Sequence, residues 1–193
     1  MRLLLSAFAP ELGPLADDPP PGWAVATVGV GAVTSAATTA RLLAELRPEA
    51  VVFLGSCGHY DSRLQRFDCL WAAEAIATSL EELHGAAYRP GIERVRWQAT
   101  LEGPLPTHPV AVPPAITRTL AGGLLLAAVA PVEHLELTGV YAACHGADVP
   151  CGGALVVVNA VGPDAASQWQ AHHVEGSQRL VAALRASGFF SVP

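Results

Sequence analysis

The chain has 193 residues, of which 51% are hydrophobic and 15% are charged, and its formal net charge at pH 7 is −6. This length is enough for one domain with a substantial core but too short for two domains of typical size. The sparse, acidic charge excludes the basic footprint of a nucleic-acid-binding protein, and the lack of lysine (all 11 basic residues are arginine) excludes Schiff-base and P-loop lysine chemistry.

The first half of the chain alternates continuous apolar runs with a helical pattern, which predicts strands buried on both faces of a sheet. The predicted elements are, in chain order, a strand from Arg2 to Phe8, a helical turn from Pro10 to Ala16, a strand from Trp23 to Val28, a helix from Ala32 to Leu46 and a strand from Ala50 to Leu54. The helix is predicted to turn Ala36, Ala40, Leu43 and Leu46 inward. The start of the chain resembles a very short signal peptide, but the early acidic Glu11 favours a buried strand.

The second half continues the alternation. The predicted elements are strands from Phe67 to Thr78 and from Glu93 to Ala99, a proline-rich loop from Gly103 to Pro114 with a short extended piece, a helix from Glu136 to Gly146, a strand from Ala154 to Asn159 and a helix from Asp164 to about Ala186. Together they predict a single α/β domain over residues 1–193, with a mixed, mostly parallel central sheet flanked by helices. The apolar segment from Leu120 to Pro131 is too short to span a bilayer, so we expect no membrane partner and a cytoplasmic protein.

The four cysteines need no disulfides in a chain with an ample core. The alternative interpretation is that Cys144-His145 with Cys151, or His172-His173, are metal ligands. Their spacing fits no common zinc pattern, and small buried cysteines are ordinary in such cores. We therefore expect neither a metal nor a cofactor.

Gly29-Val30-Gly31 follows a predicted strand and opens a predicted helix, as a dinucleotide-binding turn does. The third glycine of that motif is absent, because Thr34 stands in its place, and no acidic residue ends the next strand. A tight strand-to-helix turn is the simpler interpretation, although its amides could hold an anion or a ribose hydroxyl.

Polar residues that could bind a ligand lie at the ends of predicted elements. Gly55-Ser56-Cys57-Gly58 follows a buried strand, at the carboxyl edge where open α/β sheets bind ligands. Glu136 begins a predicted helix, and Asn159 ends a predicted strand. A carboxylate can accept hydrogen bonds from ribose hydroxyls, and a side-chain amide can both donate to and accept from a base.

These motifs, in this order, resemble the nucleoside phosphorylase and nucleosidase superfamily, and the resemblance extends over most of the chain. Members of that superfamily carry a G-[ST]-[AC]-G turn at the position of Gly55–Gly58 and a Met-Glu pair at the position of Leu135-Glu136. Val161-Gly162-Pro163-Asp164 with Trp169 is most similar to futalosine hydrolases, which are menaquinone-pathway members. The resemblance implies a nucleoside as the small-molecule partner, Glu11 as the residue that activates water, Leu135, Glu136 and Ser56 as ribose-binding residues, and Asn159, Cys57 and Gly58 as base-binding residues, with Asn159 also counted as catalytic.

The chemistry of N-glycosidic cleavage agrees with this placement, because the reaction passes through a positively charged, oxocarbenium-like sugar. Carboxylates at Glu136 and Glu11 would stabilise that charge and position a nucleophile. Adenine-specific members have an aspartate that donates a proton to N7 where this chain has Asn159. An asparagine cannot give up a proton but matches N7 and the 6-oxo edge of hypoxanthine, so it favours a 6-oxopurine.

Alternatives remain at several positions. Glu11 could simply lie at a helix start and Asn159 in a local turn, and His134, which replaces a glutamate common in nucleosidases, is expected to pack or hydrogen-bond rather than catalyse. Trp71, Trp97 and Trp169 are expected to be core or interface residues, with Trp169 the best candidate if one of them stacks on a base. The chain also looks shortened between about residues 89 and 132, which keeps open a binding or assembly protein without catalysis. A phosphorylase is the third alternative, and a homo-oligomer is expected.

Overall fold

The computed structural model describes residues 1–60 and 63–191. Within them, the strands are β1 (Arg2–Ser6), β2 (Trp23–Thr27), β3 (Val51–His59), β4 (Cys69–Ala77), β5 (Arg96–Gln98), β6 (Thr107–Val112), β7 (Val132–Glu133) and β8 (Cys151–Ala160). The helices are a 3-10 helix (Ala9–Leu15), α1 (Ala32–Leu46), α2 (Leu80–Leu83), α3 (Leu120–Ala127), α4 (Leu137–Gly146) and α5 (Ala165–Ala186). None of the helices in these residues is long and apolar enough to cross a membrane.

The eight strands form one mixed sheet, and most of its pairings are parallel, as predicted. Strands β1–β2, β1–β3, β3–β8, β4–β6 and β6–β7 pair in parallel, whereas β3–β7, β4–β5 and β4–β8 are antiparallel. Because β8 pairs with both β3 and β4, the strands β3, β7, β6, β4 and β8 close into a ring, with β1 and β2 extending it on one side.

Strand β3 changes its neighbours along its length. Its first residues, Val51 to Phe53, lie between β1 and β8, and their side chains are fully buried. Past the end of β1, residues Gly58 and His59 pair with β7 instead, while β8 continues alongside. Between these two pairings, residues Leu54 to Cys57 pair with β8 alone among the described strands, and this gap is where a ligand can reach β3.

Two apolar clusters cover the faces of the sheet. One packs α1 and α4 on the sheet, around Leu42, Val140 and Tyr141. The other packs the 3-10 helix and α5, around Leu15 and Leu180. Trp71 is buried in the second cluster, whereas Trp97 is half-buried and packs against the first, so only Trp71 is a fully buried core residue.

The inward face of α1 differs from the prediction. Leu43 is buried as expected, but Ala36 is only half-buried, Ala40 is exposed and Leu46 is 40% exposed. The fully inward positions are Ser35, Thr39 and Leu42, together with Leu43. An apolar-only periodicity misses this face because small hydroxyl side chains fill the contact between α1 and α4.

Other element boundaries also differ. Strand β3 runs five residues beyond Leu54, because its Gly-Ser-Cys-Gly segment keeps pairing with β8. The short extended piece predicted within the proline-rich loop is the six-residue strand β6, whereas β7 was not predicted at all. A two-residue strand has no periodicity of its own, since only its long-range pairing with β3 and β6 defines it.

Candidate active site

A cavity of about 460 Å³ opens at the carboxyl ends of β1, β3 and β8, beside the start of α4. The structure brings all the predicted site residues to its wall, namely Glu11, Ser56, Cys57, Gly58, Leu135, Glu136 and Asn159, and Trp169 lies there too. Val30 of the Gly29-Val30-Gly31 turn lines it as well, and so do residues that the sequence did not indicate, including Phe8, Ile116, Glu133 and Gln170. We call the region around Glu11, Ser56 and Glu136 the Glu136 end, and the region around Gly58, Glu133 and Asn159 the Asn159 end.

Glu11 is a buried carboxylate with one oxygen held and one free. Its Oε1 accepts hydrogen bonds from the Ser56 amide at 2.9 Å and from the Ser56 hydroxyl at 2.7 Å. Its Oε2 is buried and has no hydrogen-bond partner among the described residues. Burial raises the pKa of Glu11 to about 7, against the lowering effect of the Ser56 bonds, and the charge of Glu136 adds to the rise. A position at a helix start does not by itself explain these contacts with β3.

The Ser56 hydroxyl is oriented by its neighbours. The indole Nε1–H of Trp169 donates to Ser56 Oγ at 3.0 Å, so the single hydroxyl hydrogen is directed to Glu11. The Trp169 ring stacks on His173 at 4.2 Å and contacts Phe8. Trp169 therefore forms a fixed wall of the cavity as well as a hydrogen-bond donor.

Glu136 is held at the N-terminal end of α1. Its Oε1 accepts a hydrogen bond from the Gly31 amide at 2.8 Å, where the helix dipole favours a negative charge. The Gly29-x-Gly31 turn therefore does hold an anion, and it is one supplied by the protein. The Glu136 Oε2 lies 3.3 Å from His134 Nε2, and the Glu136 amide donates to His134 Nδ1. His134 is buried and hydrogen-bonded at the start of α4, as expected.

Asn159 lies beside Gly58 on the neighbouring strand. A Cβ atom at Gly58 would come within 2.8 Å of Asn159 Nδ2, so the glycine makes room for this amide. The amide donates one hydrogen bond to the Ala160 carbonyl at 3.1 Å, which leaves its second N–H and its oxygen for a ligand. Cys57 is buried next to it, and burial raises the pKa of its thiol, so it does not act as a thiolate nucleophile.

Glu133 is the most informative residue that the sequence did not indicate. It pairs with Gly58 on the side opposite Asn159, so the three residues form a row across β7, β3 and β8. Its Oε2 accepts a hydrogen bond from the Tyr60 hydroxyl, and burial raises its pKa. Only the register of β7 brings Glu133 to the cavity, and no local pattern reveals that register.

The electrostatics of the cavity are those of an anionic pocket. Three carboxylates, Glu11, Glu133 and Glu136, line it, and its described lining contains no arginine. No group of three or more His, Cys, Asp or Glu within residues 1–60 and 63–191 could hold a metal ion. Such a pocket suits a ligand that becomes positively charged during reaction and disfavours a phosphate dianion.

Comparisons with known proteins agree with this fold. The chain is similar in structure to futalosine hydrolase of Helicobacter pylori, with 16% identity, a TM-score of 0.82 and 96% of each chain covered. It is equally similar to the 5′-methylthioadenosine/S-adenosylhomocysteine nucleosidase of the same organism, at 15% identity, TM-score 0.82 and 96% of each chain. S-adenosylhomocysteine nucleosidase from Streptococcus pyogenes has 16% identity and a TM-score of 0.82, with 100% of this chain and 98% of that chain covered.

Identities this low establish the fold alone, and no curated protein sequence matches the chain. The sequence profile described as "Phosphorylase superfamily" matches residues 22–133, which is more than half of the chain. The chain therefore belongs to the phosphorylase superfamily.

Proposed function

We propose that this protein is a purine nucleosidase, which hydrolyses the N-glycosidic bond of a nucleoside. The observation that carries the proposal is the free Oε2 of Glu11, a buried carboxylate oxygen in the same cavity as Glu136 and Asn159. Burying a hydrogen-bond acceptor without a partner costs free energy, and a water molecule bound beside Oε2 would supply the missing donor.

The proposed reaction uses each end of the cavity for one task. At the Glu136 end, Glu136 accepts hydrogen bonds from the ribose hydroxyls, and Glu11 Oε2 accepts a proton from water as the water oxygen attacks C1′. The bond from C1′ to the base nitrogen breaks, and its electron pair leaves with the base. At the Asn159 end, the Asn159 amide donates to N7 of the departing base, which then takes its proton from solvent. The carboxylates stabilise the positive charge that develops on the sugar.

The substrate class follows from Asn159. Because one of its N–H groups is bound to the Ala160 carbonyl, its amide keeps one N–H that can donate to N7, whereas a proton transfer to N7 would need an acid. We therefore propose a 6-oxopurine nucleoside such as futalosine. The similarity to a futalosine hydrolase fold supports this choice without fixing the substituent on the sugar.

Hydrolysis is favoured over phosphorolysis by the charge of the cavity. A phosphate beside the ribose would face the carboxylates Glu11 and Glu136 without an arginine in the described lining. Phosphate recognition in proteins relies on arginine, lysine or unopposed backbone amides. Here the Ser56 and Gly31 amides are already bound to carboxylates.

A nucleoside-binding or assembly protein without catalysis is the second candidate. The proposed shortening between about residues 89 and 132 favours it, because that region would supply part of the base pocket.

Exposed apolar side chains beside the cavity, Val30, Val33 and Ile116, fit the expected homo-oligomer, since a second subunit would cover them. A cytoplasmic location remains a prediction.

The test is chromatographic detection of free base. Purified protein is incubated with futalosine, inosine, methylthioadenosine and adenosylhomocysteine, each with and without phosphate. Release of hypoxanthine that does not depend on phosphate is the expected result. Release that requires phosphate would indicate a phosphorylase, and thermal stabilisation by a nucleoside without any product would indicate the binding protein.

A further inference from the structure

His134 is a buried histidine whose two ring nitrogens both face Glu136. We propose that His134 is a positioning residue, which fixes the orientation of the Glu136 carboxylate so that it can grip the ribose hydroxyls. The inference rests on the proposed function and names a residue on which that function depends.

The hydrogen bonds determine the tautomer of His134. The Glu136 backbone N–H can only donate, so Nδ1 of His134, 3.1 Å away, must be an acceptor without a proton. In the neutral ring the proton then lies on Nε2, which is 3.3 Å from Glu136 Oε2. Burial lowers the pKa of His134, in spite of the opposing charge of Glu136, and so favours this neutral form. The protonated ring nitrogen is therefore the one that faces the carboxylate, at contact distance.

The ring has little freedom to turn away from Glu136. The edge of Phe53 packs against it in a T-shaped arrangement, with ring centroids 5.1 Å apart. On the same side, a Cβ atom at Gly55 would come within 2.8 Å of His134 Nε2 and 2.7 Å of the Phe53 ring. The first glycine of the Gly-Ser-Cys-Gly turn thus makes room for protein side chains, and the imidazole fills that room.

The two contacts of Glu136 constrain its carboxylate at both oxygens. Gly31 N–H donates a hydrogen bond to Oε1 from the α1 side, and His134 Nε2 lies 3.3 Å from Oε2 on the β3 side. A carboxylate has about four acceptor positions, so two remain, one on each oxygen. Two adjacent hydroxyls of a ribose match that pair. Without His134, the Oε2 side loses its anchor and the carboxylate can rotate about the Gly31 bond.

The test compares inosine with 2′-deoxyinosine, which lacks one of the hydroxyls assigned to Glu136. For His134→Asn we expect kcat/KM for inosine to fall about tenfold, the equivalent of one lost charged hydrogen bond, and to fall by less than about threefold for 2′-deoxyinosine. His134→Gln, whose amide can reach toward Glu136, should recover part of the loss. The matched control is His145→Asn at the far end of α4, which should leave kcat/KM unchanged for both substrates. An equal loss with both sugars would overturn the inference.

A double variant tests whether the effect passes through Glu136. In a Glu136→Gln background, His134→Asn should add less than about twofold, because residues that act as a unit are not additive. Independent, multiplied losses would contradict the proposal. If the wild type binds nucleosides but releases no base, the proposed function fails, and dissociation constants for the same two sugars then decide the inference.

A measurement without substrate guards against variants that fail to fold. Nitrogen-15 NMR of the imidazole rings, assigned through His134→Asn, should show His134 protonated on Nε2 only in the wild type. Glu136→Gln should shift that Nε2 resonance and leave His145 unchanged. A proton on Nδ1, or a His134 ring that does not respond to Glu136→Gln, would overturn the inference.

Discussion

The two ends of the cavity hold their polar groups in different ways. At the Glu136 end, the backbone fixes both carboxylates: Ser56 N–H binds Glu11 and Gly31 N–H binds Glu136. At the Asn159 end, the Tyr60 hydroxyl binds Glu133, the Thr117 amide reaches Glu133 only at 3.4 Å, and Asn159 donates to the adjacent Ala160 carbonyl. The first end is therefore held by short backbone bonds from a strand and a helix, whereas the second relies more on side chains. This difference suggests that chemistry resides at the Glu136 end and base selection at the Asn159 end.

The largest expected effect is at Glu11. Glu11→Gln removes the proton acceptor for water, and loss of a general base lowers kcat by about 10²–10⁴-fold. For the wild type, kcat/KM should fall below a pH of about 7, since only the ionised carboxylate accepts a proton. A steady-state pH profile of both proteins checks this. Turnover that persists in the variant would place the chemistry elsewhere.

Glu11→Gln should also change how the stability of the protein depends on pH. The carboxyl of Glu11 ionises near 4.5 in the unfolded chain and near 7 in the folded one, so the folded protein binds more protons between those pH values. The free energy of unfolding therefore falls as pH rises through this window, by on the order of 3 kcal/mol from this group alone. Glu11→Gln should remove that fall in denaturant titrations at pH 5 and pH 8. An unchanged pH dependence would show that Glu11 is ionised normally.

At Glu136 we expect a smaller but clear loss. Glu136→Gln keeps the shape and the bond from Gly31 but removes the charge that stabilises the sugar, so turnover should fall by at least about tenfold. Initial-rate measurements with inosine or futalosine would test it, with Glu45→Gln on the exposed side of α1 as a control. A rate within twofold of the wild type would remove Glu136 from the mechanism.

A substitution at Asn159 should change selectivity rather than rate alone. Asn159→Asp introduces an acid that can protonate N7, so kcat/KM for an adenine nucleoside should rise relative to inosine by roughly tenfold, the equivalent of one charge-assisted hydrogen bond. Competition between methylthioadenosine and inosine in one reaction measures the ratio directly. Equal losses for both substrates would mean that the Asn159 end does not select the base.

Glu133 should have the smallest effect of the four. Tyr60 can donate to an amide oxygen as it does to the carboxylate, so Glu133→Gln should change kcat/KM by only about threefold, the scale of one neutral hydrogen bond. Its effect should also fall on the base and not on the sugar. A loss as large as that of Glu136→Gln would place essential chemistry at both ends and end the distinction between them.

The sequence predicted the elements that have a strong pattern of their own. Helix α1 has the predicted bounds, because the Gly29-Val30-Gly31 turn precedes its first residue and Pro48 follows its end. The fold and the main site residues came from short motifs that resemble a known family. Glu133 and β7 could not be predicted, since their place depends on pairing with β3 and β6 over long separations. The role of Ser35 and Thr39 in the α1 face was missed for a similar reason, because it depends on the close approach of α4.

One feature of the sheet limits how long the Glu136 end stays assembled. Gly31, which holds Glu136, comes shortly after β2, and among the described strands β2 pairs with β1 alone. Edge strands open locally at a lower free energy than strands paired on both sides, such as those of the ring. The carboxylate that would hold the sugar is thus anchored next to an edge strand, whose amides we expect to exchange with solvent faster than those of the ring. We therefore expect fraying of β2 to loosen the Gly31 contact before the ring itself unfolds.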